Sequence, residues 1–248
     1  MKIIGVIQAR MNSQRLPGKV MLKIEEKPII WHIFDRLTKC NSLDSVVIST
    51  GDKEKNKDII DFAVQNNFPI YSGSEDDLIE RLYRTAEKYD ADAIVRITSD
   101  CPLVDPSIVD MLVKNFRTEH EKYDIITNCQ IFTFPHGLEV EIYSKKVLSF
   151  LWKNIAEKEY REWFPLFIKK NSNQFNILNI KNESDLSSIR LTVDYEEDLE
   201  LVRIIFKELS HLENFSLNDI LKLLKQRPEL QKINLKFHNK RNIDAPKI

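Results

Sequence analysis

The residues best suited to chemistry lie in the first loop of the chain. Positions 2–7 form a short apolar run of the length of a buried strand, and a polar loop follows it at once. This loop contains the candidate ligand residues Arg10, Ser13, Arg15 and Lys19. Phosphate oxygens accept hydrogen bonds from guanidinium and ammonium groups, and ligands of open α/β sheets bind at the carboxyl ends of strands. The spacing therefore predicts a polyphosphate-binding loop, and the alternative is a solvated basic loop after an edge strand.

The residue pair Pro17-Gly18 shapes this loop. It favours a tight turn that would point Lys19 back toward the end of the strand. The loop has neither a Walker A sequence nor the Gly-x-Gly-Thr-Arg signature of many sugar-phosphate enzymes, and the whole chain has only five glycines. Glycine-rich backbone nests therefore cannot be the main anion-binding device, and cationic side chains must bind the phosphates.

The composition limits the class of protein. A chain of 248 residues with 42% hydrophobic residues can form one large α/β domain, and a formal net charge of -1 gives no global attraction to nucleic acid or to a membrane. No apolar run has the length of a membrane span, and the first is too short for a signal peptide, so we expect a cytoplasmic protein. Cys40, Cys101 and Cys129 lack Cys-x-x-Cys spacing and are expected to be reduced thiols.

The elements that must position the first loop alternate between strand and helix. Apolar runs at 45–50 and 93–98 predict buried strands, and periodic segments at 53–66 and 76–89 predict helices. This alternation predicts a mostly parallel sheet with helices on both faces. Further strands are expected at 68–71, 123–127, 138–142, 175–180 and 189–193, and further helices from 28, from 106, and at 144–156, 160–170 and 217–224.

Two carboxylates follow apolar runs at positions where strands are expected to end. Asp100 follows the run 93–98, and Asp194 follows the run 189–193. If the strands are parallel, Asp100 lies at the same sheet edge as the first loop and is a candidate magnesium ligand. The alternatives are an Asx turn at Asp100 and a helix N-cap at Asp194. Two carboxylates at one edge would repel each other unless a divalent cation lay between them.

Four further polar residues admit both a structural and a ligand-binding interpretation. Arg81 lies off the apolar stripe of its predicted helix, where it could pair with Asp77 in solvent or bind a ligand. His136 lies in a turn and is either incidental or a donor to a substrate. Glu139 and Glu141 alternate with apolar residues, which is typical of a half-exposed strand whose carboxylates contact water.

The motifs themselves carry a resemblance to a known family. The spacing Arg-x-x-Ser-x-Arg-Leu-Pro-Gly-Lys from 10 to 19 resembles the N-terminal motif of the cytidylyltransferases that activate acidic sugars, including 3-deoxy-manno-octulosonate and acylneuraminate cytidylyltransferases. The likeness is strongest to the branch typified by spore-coat polysaccharide biosynthesis protein F. Positions 100–103 resemble the family's Asp-x-Pro-Leu motif, and 194–199 resemble its Asp-Thr-Pro-Glu-Asp-Leu motif. Positions 135–141 resemble Pro-x-Gly-Leu-(Asp/Glu)-Val-Glu, which lies beside the acceptor pocket.

This resemblance implies a fold and an activity. The fold is a three-layer α/β/α nucleotide-diphospho-sugar transferase-like (Rossmann-like) fold, with residues 1–248 forming a single domain. The activity is transfer of CMP from CTP to an acidic sugar, with release of pyrophosphate. The alternatives are a cytidylyltransferase acting on a phosphate- or phosphonate-bearing alcohol, and a glycosyltransferase-like or nucleotide-binding protein that transfers no nucleotide.

The resemblance also implies roles for individual residues. Asp100 and Asp194 would hold Mg²⁺ and, with Arg10 and Lys19, form the catalytic set. The residues expected to bind CTP are Arg10, Ser13, Arg15, Lys19 and Arg81. The residues expected to bind the sugar are His136, Glu139 and Glu141. Relatives commonly carry a basic residue followed by histidine where this chain has Arg161-Glu162-Trp163, so the acceptor stays open.

Two peripheral segments complete the expectations. Residues 130–185 would form a small acceptor and dimerisation appendage, whose aromatic residues predict a homodimer. These residues are Trp152, Trp163, Phe164 and Phe167. Residues 227–248 are basic and are expected to form an arm that is solvated or lies on a partner.

Overall fold

The computed structural model describes residues 1–238 and 240–241. The strands are β1 (Ile3–Ala9), β2 (Lys23–Ile24), β3 (Lys27–Pro28), β4 (Ser45–Thr50), β5 (Ile70–Ser72), β6 (Ala93–Thr98), β7 (Ile125–Thr127), β8 (Glu141–Ser144) and β9 (Ile177–Asn179). The helices are α1 (Ile29–Thr38), α2 (Lys57–Gln65), α3 (Leu78–Lys88), α4 (Pro106–Glu119), α5 (Lys145–Asn154), α6 (Lys158–Glu162), α7 (Phe164–Lys170), α8 (Glu196–Glu208) and α9 (Leu217–Gln226).

A seven-stranded sheet in the order β5-β4-β1-β6-β8-β7-β9 forms the middle layer. The strands β5, β4, β1 and β6 are parallel, whereas β8 is antiparallel to both β6 and β7. Gln8 of β1 is level with Ser49 of β4 and with Thr98 of β6, so the carboxyl ends of these three strands form one edge. The mostly parallel mixed sheet predicted from the sequence is confirmed, and its edge receives the first loop.

Alternate side chains of β1 enter two separate hydrophobic clusters. Ile3 and Ile7 belong to the cluster that includes buried residues of α1, α4, α8 and α9. Ile4 and Val6 belong to the cluster that includes buried residues of α3, α5 and α7. Because successive strand residues point to opposite faces, helices cover the sheet on both sides. The three-layer α/β/α prediction is confirmed.

The segment 189–193 differs from the strand that its apolar run predicted. In the structure its ladder contact is an isolated parallel bridge between Arg190 and His136. Its backbone bonds instead to two loops, with Leu191 N donating to His136 O at 2.7 Å and Val193 N to Asp100 O at 2.8 Å. The strand prediction was wrong because burial alone does not distinguish a sheet strand from a buried extended segment.

Two other element predictions also need correction. The helix predicted over 160–170 is two helices, α6 and α7, with Trp163 between them. Pro165 lies in the first turn of α7, the position a helix tolerates, so it begins a helix instead of interrupting one. The strand predicted over 138–142 begins at Glu141.

The appendage helices pack against α3. The ring of Trp152 stacks on Tyr83 with centroids 4.8 Å apart, and Phe164 is fully buried against Tyr143. Phe164 is therefore covered by its own chain and is not available for a dimer contact. The homodimer and the boundaries of the appendage stay predictions.

The C-terminal segment differs from the expected solvated arm. The side chains of Leu230, Asn234 and Phe237 are buried against the rest of the chain. The remainder of that prediction, at 239 and 242–248, lies outside the described residues. No helix in the described part of the chain is both long and apolar enough to cross a membrane.

Candidate active site

The loop after β1 folds back on itself at the sheet edge. Gly18 has φ of 65° and donates its N–H to Met11 O at 3.2 Å. A left-handed φ is easily adopted by glycine, which explains the residue at this turn. Ser13 Oγ accepts from Leu16 N at 3.4 Å within the same loop. The predicted Pro17-Gly18 turn is confirmed, and it directs the next side chain, that of Lys19, inward.

The ammonium of Lys19 lies between two carboxylates. Its Nζ is 3.1 Å from Asp100 Oδ2 and 2.8 Å from Asp194 Oδ1, and it also donates to Val193 O at 3.0 Å. Burial disfavours the charged ammonium, but the charges of Asp100 and Asp194 outweigh burial and raise the pKa of Lys19. Lys19 therefore remains charged and joins the loop to both predicted metal ligands.

Asp194 contacts two further cations. Arg15 Nη2 lies 2.5 Å from its Oδ1, and Arg190 Nη2 lies 3.1 Å from its Oδ2. Arg190 is held in turn by Asp198 through two bonds of 2.8 Å. Burial and the charge of Asp100 raise the pKa of Asp194, but Lys19 and Arg15 outweigh them and lower it. Asp194 is therefore ionised.

The helix-cap interpretation of Asp194 is wrong. The residue that precedes α8 is Tyr195, and the backbone N–H groups of Asp194 and Tyr195 both donate to Asp198 Oδ2, at 3.0 and 3.1 Å. Asp198 therefore satisfies the backbone at the start of the helix. The side chain of Asp194 is left to the charged cluster.

Asp100 is also held in its ionised form. Thr98 Oγ1 donates to its Oδ1 at 2.5 Å, while Lys19 donates to its Oδ2. Burial raises the pKa of Asp100, but Lys19 and then Thr98 lower it well below its usual range. Its side-chain partners include a lysine and a threonine, so the Asx-turn alternative does not describe this geometry.

The carboxylate pair needs no divalent cation to form. The ammonium of Lys19 already lies between Asp100 and Asp194, so the expectation that only a metal could relieve their repulsion is wrong. Within residues 1–238 and 240–241, no group of three or more His, Cys, Asp or Glu side chains is arranged to hold a metal. Magnesium is commonly held by one or two carboxylates together with substrate phosphates. The two aspartates therefore fit Mg²⁺ that arrives with a nucleotide.

Arg10 and Arg81 converge on one carbonyl. Arg10 Nη1 and Arg81 Nη1 donate to Glu75 O at 3.0 and 3.2 Å, and Arg10 also pairs with Glu162 at 2.8 Å. Arg81 is fully buried, so its interpretation as a solvent-facing charge is wrong. Burial, followed by the charge of Arg10, lowers the pKa of Arg81 to about 10.

Two side-chain nitrogens of Arg81 lack a hydrogen-bond partner in the part of the chain that the structure describes. Its Nη1 donates to Ser74 O at 2.5 Å as well as to Glu75 O. Its Nε and Nη2 are buried and have no hydrogen-bond partner among the residues that the structure describes. The predicted partner Asp77 instead pairs with Arg161 at 2.6 Å. A buried guanidinium with unused donors is suited to a polar ligand.

His136 lies where two backbone segments nearly touch. At Gly137, whose φ is 106°, a Cβ would lie 2.6 Å from Leu191 C, so glycine is required there. The imidazole Nδ1 accepts from Arg190 Nη1 at 3.0 Å, because a guanidinium can only donate. Burial, followed by the charges of Arg241 and Arg190, lowers the pKa of His136 to about 3. His136 is therefore neutral.

The two glutamates differ in their surroundings. Glu139 accepts from Gly137 N at 2.7 Å, and burial raises its pKa to about 7 although Arg241 opposes the shift. Glu141 is buried in β8, where it pairs with Arg96 and accepts from Tyr143 OH at 2.6 Å. The half-exposed strand interpretation is wrong for Glu141. Its carboxylate does not face solvent but bonds to side chains of neighbouring sheet residues.

Three residues near the site were missed in the sequence. Arg190 was visible as a lone charge inside the apolar run 189–193, and such a charge is buried only with partners. Asp198 was visible as an acidic residue in the first turn of a helix. Arg241 gave no local signal, because its position follows from the path of the C-terminal segment.

Comparison with known proteins identifies the family. The family model for cytidylyltransferases matches residues 4–234. The chain is 26% identical to the spore coat polysaccharide biosynthesis protein SpsF of Bacillus subtilis, over 92% of this chain and 95% of that protein. It is 32% identical to the 3-deoxy-manno-octulosonate cytidylyltransferase of Geobacter metallireducens, over 44% of this chain and 42% of that one.

A solved structure agrees with these relatives. A cytidylyltransferase from Leptospira borgpetersenii superposes with a TM-score of 0.87 at 32% identity, covering 93% of this chain and 96% of that one. The chain therefore belongs to the cytidylyltransferase family, and it is a CTP-dependent nucleotidyltransferase. The resemblance noted from the first loop is confirmed.

Proposed function

We propose that this enzyme transfers CMP from CTP to the hydroxyl of an acidic sugar, in the biosynthesis of a surface polysaccharide or another glycan. The observation that carries the proposal is the Lys19 ammonium held between Asp100 and Asp194 at the edge where the first loop leaves β1. Similarity to a 3-deoxy-manno-octulosonate cytidylyltransferase supports an acidic sugar as acceptor, and similarity to SpsF supports a place in polysaccharide biosynthesis.

The cations of the first loop bind the triphosphate. Arg10 and Arg15 lie at the open side of the loop, with side chains 25% and 22% exposed, while Lys19 lies deeper. As the acceptor oxygen attacks the α-phosphorus in line, negative charge builds on the departing pyrophosphate. Cations already fixed at that edge stabilise this charge, and such positioning dominates phosphoryl-type transfer. No covalent nucleophile is needed.

Mg²⁺ is the proposed cofactor, with Asp100 and Asp194 as its ligands. When bound, it would neutralise phosphate charge and make the acceptor hydroxyl more acidic. The chain prepares for this by keeping both aspartates ionised through Lys19. Lys19 and Arg15, which contact these aspartates, are also the loop cations that would contact the phosphate oxygens of the nucleotide.

The remaining site residues divide between nucleotide and acceptor. Arg81 has unused donors and belongs to the nucleotide side, and Ser13 shapes the loop. His136 and Glu139 belong to the acceptor side, where a neutral imidazole and a carboxyl can hydrogen-bond sugar hydroxyls. Glu141 supports that pocket through β8 and its contact with Arg96. The protein would work as a cytoplasmic homodimer.

The deciding experiment measures pyrophosphate release. The enzyme is incubated with CTP, GTP or UTP and Mg²⁺, with and without a panel of acidic sugars, neutral sugars, phosphate alcohols and phosphonate alcohols. We expect release only with CTP and an acidic sugar, and mass spectrometry should find the CMP adduct. Preference for a phosphate or phosphonate alcohol would replace the acceptor class. Absence of release with every acceptor would favour a protein that only binds nucleotides.

A further inference from the structure

The C-terminal segment is anchored to the charged network behind the site. The buried amide of Asn234 donates to Asp198 Oδ1 at 2.9 Å and to Arg190 O at 3.1 Å. Asp198 and Arg190 are the residues that hold Asp194 from behind. Hydrogen bonds therefore hold the segment at Asn234 against the residues that contact Asp194.

An aromatic stack fixes the segment at a second point. The ring of Phe237 lies on that of Tyr195 with centroids 3.8 Å apart and planes 4° from parallel. Tyr195 directly follows Asp194 in the chain. The two anchors, Asn234 and Phe237, hold this part of the segment beside the site, and Arg241 follows four residues further along the chain.

Arg241 reaches the acceptor side of the site. Its guanidinium carbon lies 4.1 Å from the ring centroid of Phe132, and its Nη2 is 3.2 Å from Glu139 Oε1. Only 15% of its side chain is exposed. The charges of Arg241 and Asp100 both act on His136 and on Glu139, so these four groups share one region.

The donors of Arg241 are incompletely used. Nη2 is buried, and within residues 1–238 and 240–241 it has no hydrogen-bond partner, because its approach to Glu139 is an ion pair without hydrogen-bond geometry. A guanidinium resting on an aromatic face keeps its N–H edge available for a carboxylate. Arg190, which also contacts His136, already bonds to Asp194 and Asp198.

We propose that Arg241 binds the carboxylate of the acidic sugar acceptor, so that the C-terminal segment forms one wall of the acceptor pocket. The inference rests on the proposed function, because it presupposes an acidic acceptor. A planar fork of N–H donors fits a carboxylate in two-point contact. Arg241 lies outside residues 4–234, the part of the chain that the cytidylyltransferase family model matches.

The test compares one acidic sugar with its carboxamide analogue as acceptors. For Arg241→Gln we expect the KM for the acid to rise by about ten- to a hundredfold, the range for a charge-assisted contact, with the KM for CTP unchanged. The carboxamide should be used equally well by both proteins. Arg241→Lys should restore part of the preference for the acid, because it keeps the charge and loses the fork.

Two further variants separate carboxylate binding from a structural role. Arg227→Ala removes a half-exposed arginine of the same segment that pairs with Glu208 and Glu229, and it should leave every kinetic constant unchanged. Glu139→Gln removes the ion-pair partner of Arg241 but should keep the preference for the acid. Thermal melting of each variant, together with its KM for CTP, verifies that it is folded.

The outcomes test the role of Arg241 separately from the proposed function. If the wild type uses no acidic sugar, the proposed function fails and this inference fails with it. If the wild type uses acidic sugars but Arg241→Gln retains its preference for the acid over the carboxamide, the proposed function stands and the role of Arg241 is overturned. The role is also overturned if Glu139→Gln loses that preference as fully as Arg241→Gln, because Arg241 would then act only as the partner of Glu139.

Discussion

Two buried cations of the candidate site, Lys19 and Arg81, have opposite surroundings. Lys19 contacts two carboxylates and a carbonyl, and these raise its pKa despite burial. Arg81 contacts only carbonyls, retains two unpartnered nitrogens among the described residues, and has its pKa lowered to about 10. The difference indicates that the contacts of Lys19 are already made within the folded site, whereas two nitrogens of Arg81 have no hydrogen-bond partner among the described residues.

The most damaging change should be Asp194→Asn. It removes the carboxylate that Lys19, Arg15 and Arg190 share, together with a proposed metal ligand. We expect kcat to fall by about a hundred- to a thousandfold, as when a preorganised electrostatic group is lost. The free energy of unfolding should fall by about 3–5 kcal/mol, because buried cations lose their partner. Pyrophosphate release at saturating CTP and urea unfolding measure the two effects.

A matched control is Asp110→Asn. Asp110 accepts backbone bonds from Asn41 and Ser42, far from the site, and the substitution removes the same charge. Its turnover should match that of the wild type. Near-normal turnover of Asp194→Asn would contradict the proposal, and the metal site would then have to be redrawn around Asp100 and another carboxylate.

The second change removes the cation instead of the carboxylate. In Lys19→Met the carboxylates of Asp100 and Asp194 lose the ammonium that lies between them. Asp194 keeps its contacts with two arginines, Arg15 and Arg190, but these do not replace the lost charge between the two carboxylates. We expect kcat to fall by about a hundredfold and the metal-free protein to lose about 3 kcal/mol of stability. Mg²⁺ should raise the melting temperature of Lys19→Met more than that of the wild type, because the metal replaces the missing charge. Equal Mg²⁺ shifts would argue against metal binding between these aspartates.

Local chemistry made part of this architecture predictable. The β-branched runs fixed β4 and β6 to the residue, and Asp105 before Pro106 identified the start of α4, where Asp105 accepts from Ser107 N at 2.8 Å. The Pro17-Gly18 turn likewise followed from backbone preferences. Strands, caps and turns are decided by residues close together in sequence, so a single chain reveals them.

Other features could not be predicted because they depend on contacts between distant residues. Lys19 meets Asp194 across 175 positions, and no local pattern shows that an ammonium will lie between the two aspartates. The burial of Arg81 could not be decided between its two interpretations, because a helix stripe does not reveal what a neighbouring loop covers. The segment 189–193 was assigned to the sheet because its burial was visible, whereas its partners in two loops were not.

The third prediction concerns Arg81→Met. Stability should change by less than about 1 kcal/mol, since two lost bonds to carbonyls are offset by removing a poorly compensated buried charge. The KM for CTP should nevertheless rise by about tenfold, because the unused donors serve the nucleotide. Isothermal calorimetry with CTP and urea unfolding test the two halves. Arg84→Met, at a half-exposed arginine of the same helix that pairs with Glu80 and Glu87, is the control. It should leave the KM for CTP unchanged and should alter stability by no more than about 1 kcal/mol.

The stability and the CTP affinity of Arg81→Met together show whether Arg81 resembles Lys19. A large loss of stability without a change in CTP affinity would place Arg81 beside Lys19, as part of the folded framework. A change in CTP affinity without a loss of stability would establish it as a ligand residue.

Around His136 and Glu139, burial shifts the pKa of both side chains toward the neutral form. Arg241 opposes this shift at Glu139, so near pH 7 Glu139 is divided between its neutral form and the ion pair with Arg241. Burial lowers the pKa of His136 from 6.5 to about 3 and raises the pKa of Glu139 from 4.5 to about 7. For His136 the unfolded state binds the extra proton, so its contribution to stability is lost as pH falls from 6.5 toward 3. For Glu139 the folded state binds the extra proton, so its contribution is lost as pH rises from 4.5 through 7.

The smallest expected effect is on the pH dependence of stability, where the contributions of His136 and Glu139 oppose each other. Between pH 4.5 and 6.5 the two contributions run in opposite directions, and the wild type should show a nearly flat dependence of unfolding free energy on pH. Glu139→Gln should expose a rise in stability with pH, and His136→Asn should expose a fall, each by up to about 1.4 kcal/mol per pH unit. Both substitutions keep an acceptor for Gly137 N or Arg190 Nη1. Urea unfolding between pH 4.5 and 6.5 measures how the unfolding free energy of each variant changes with pH. Equal slopes in the two variants would show that burial does not shift these two pKa values in opposite directions.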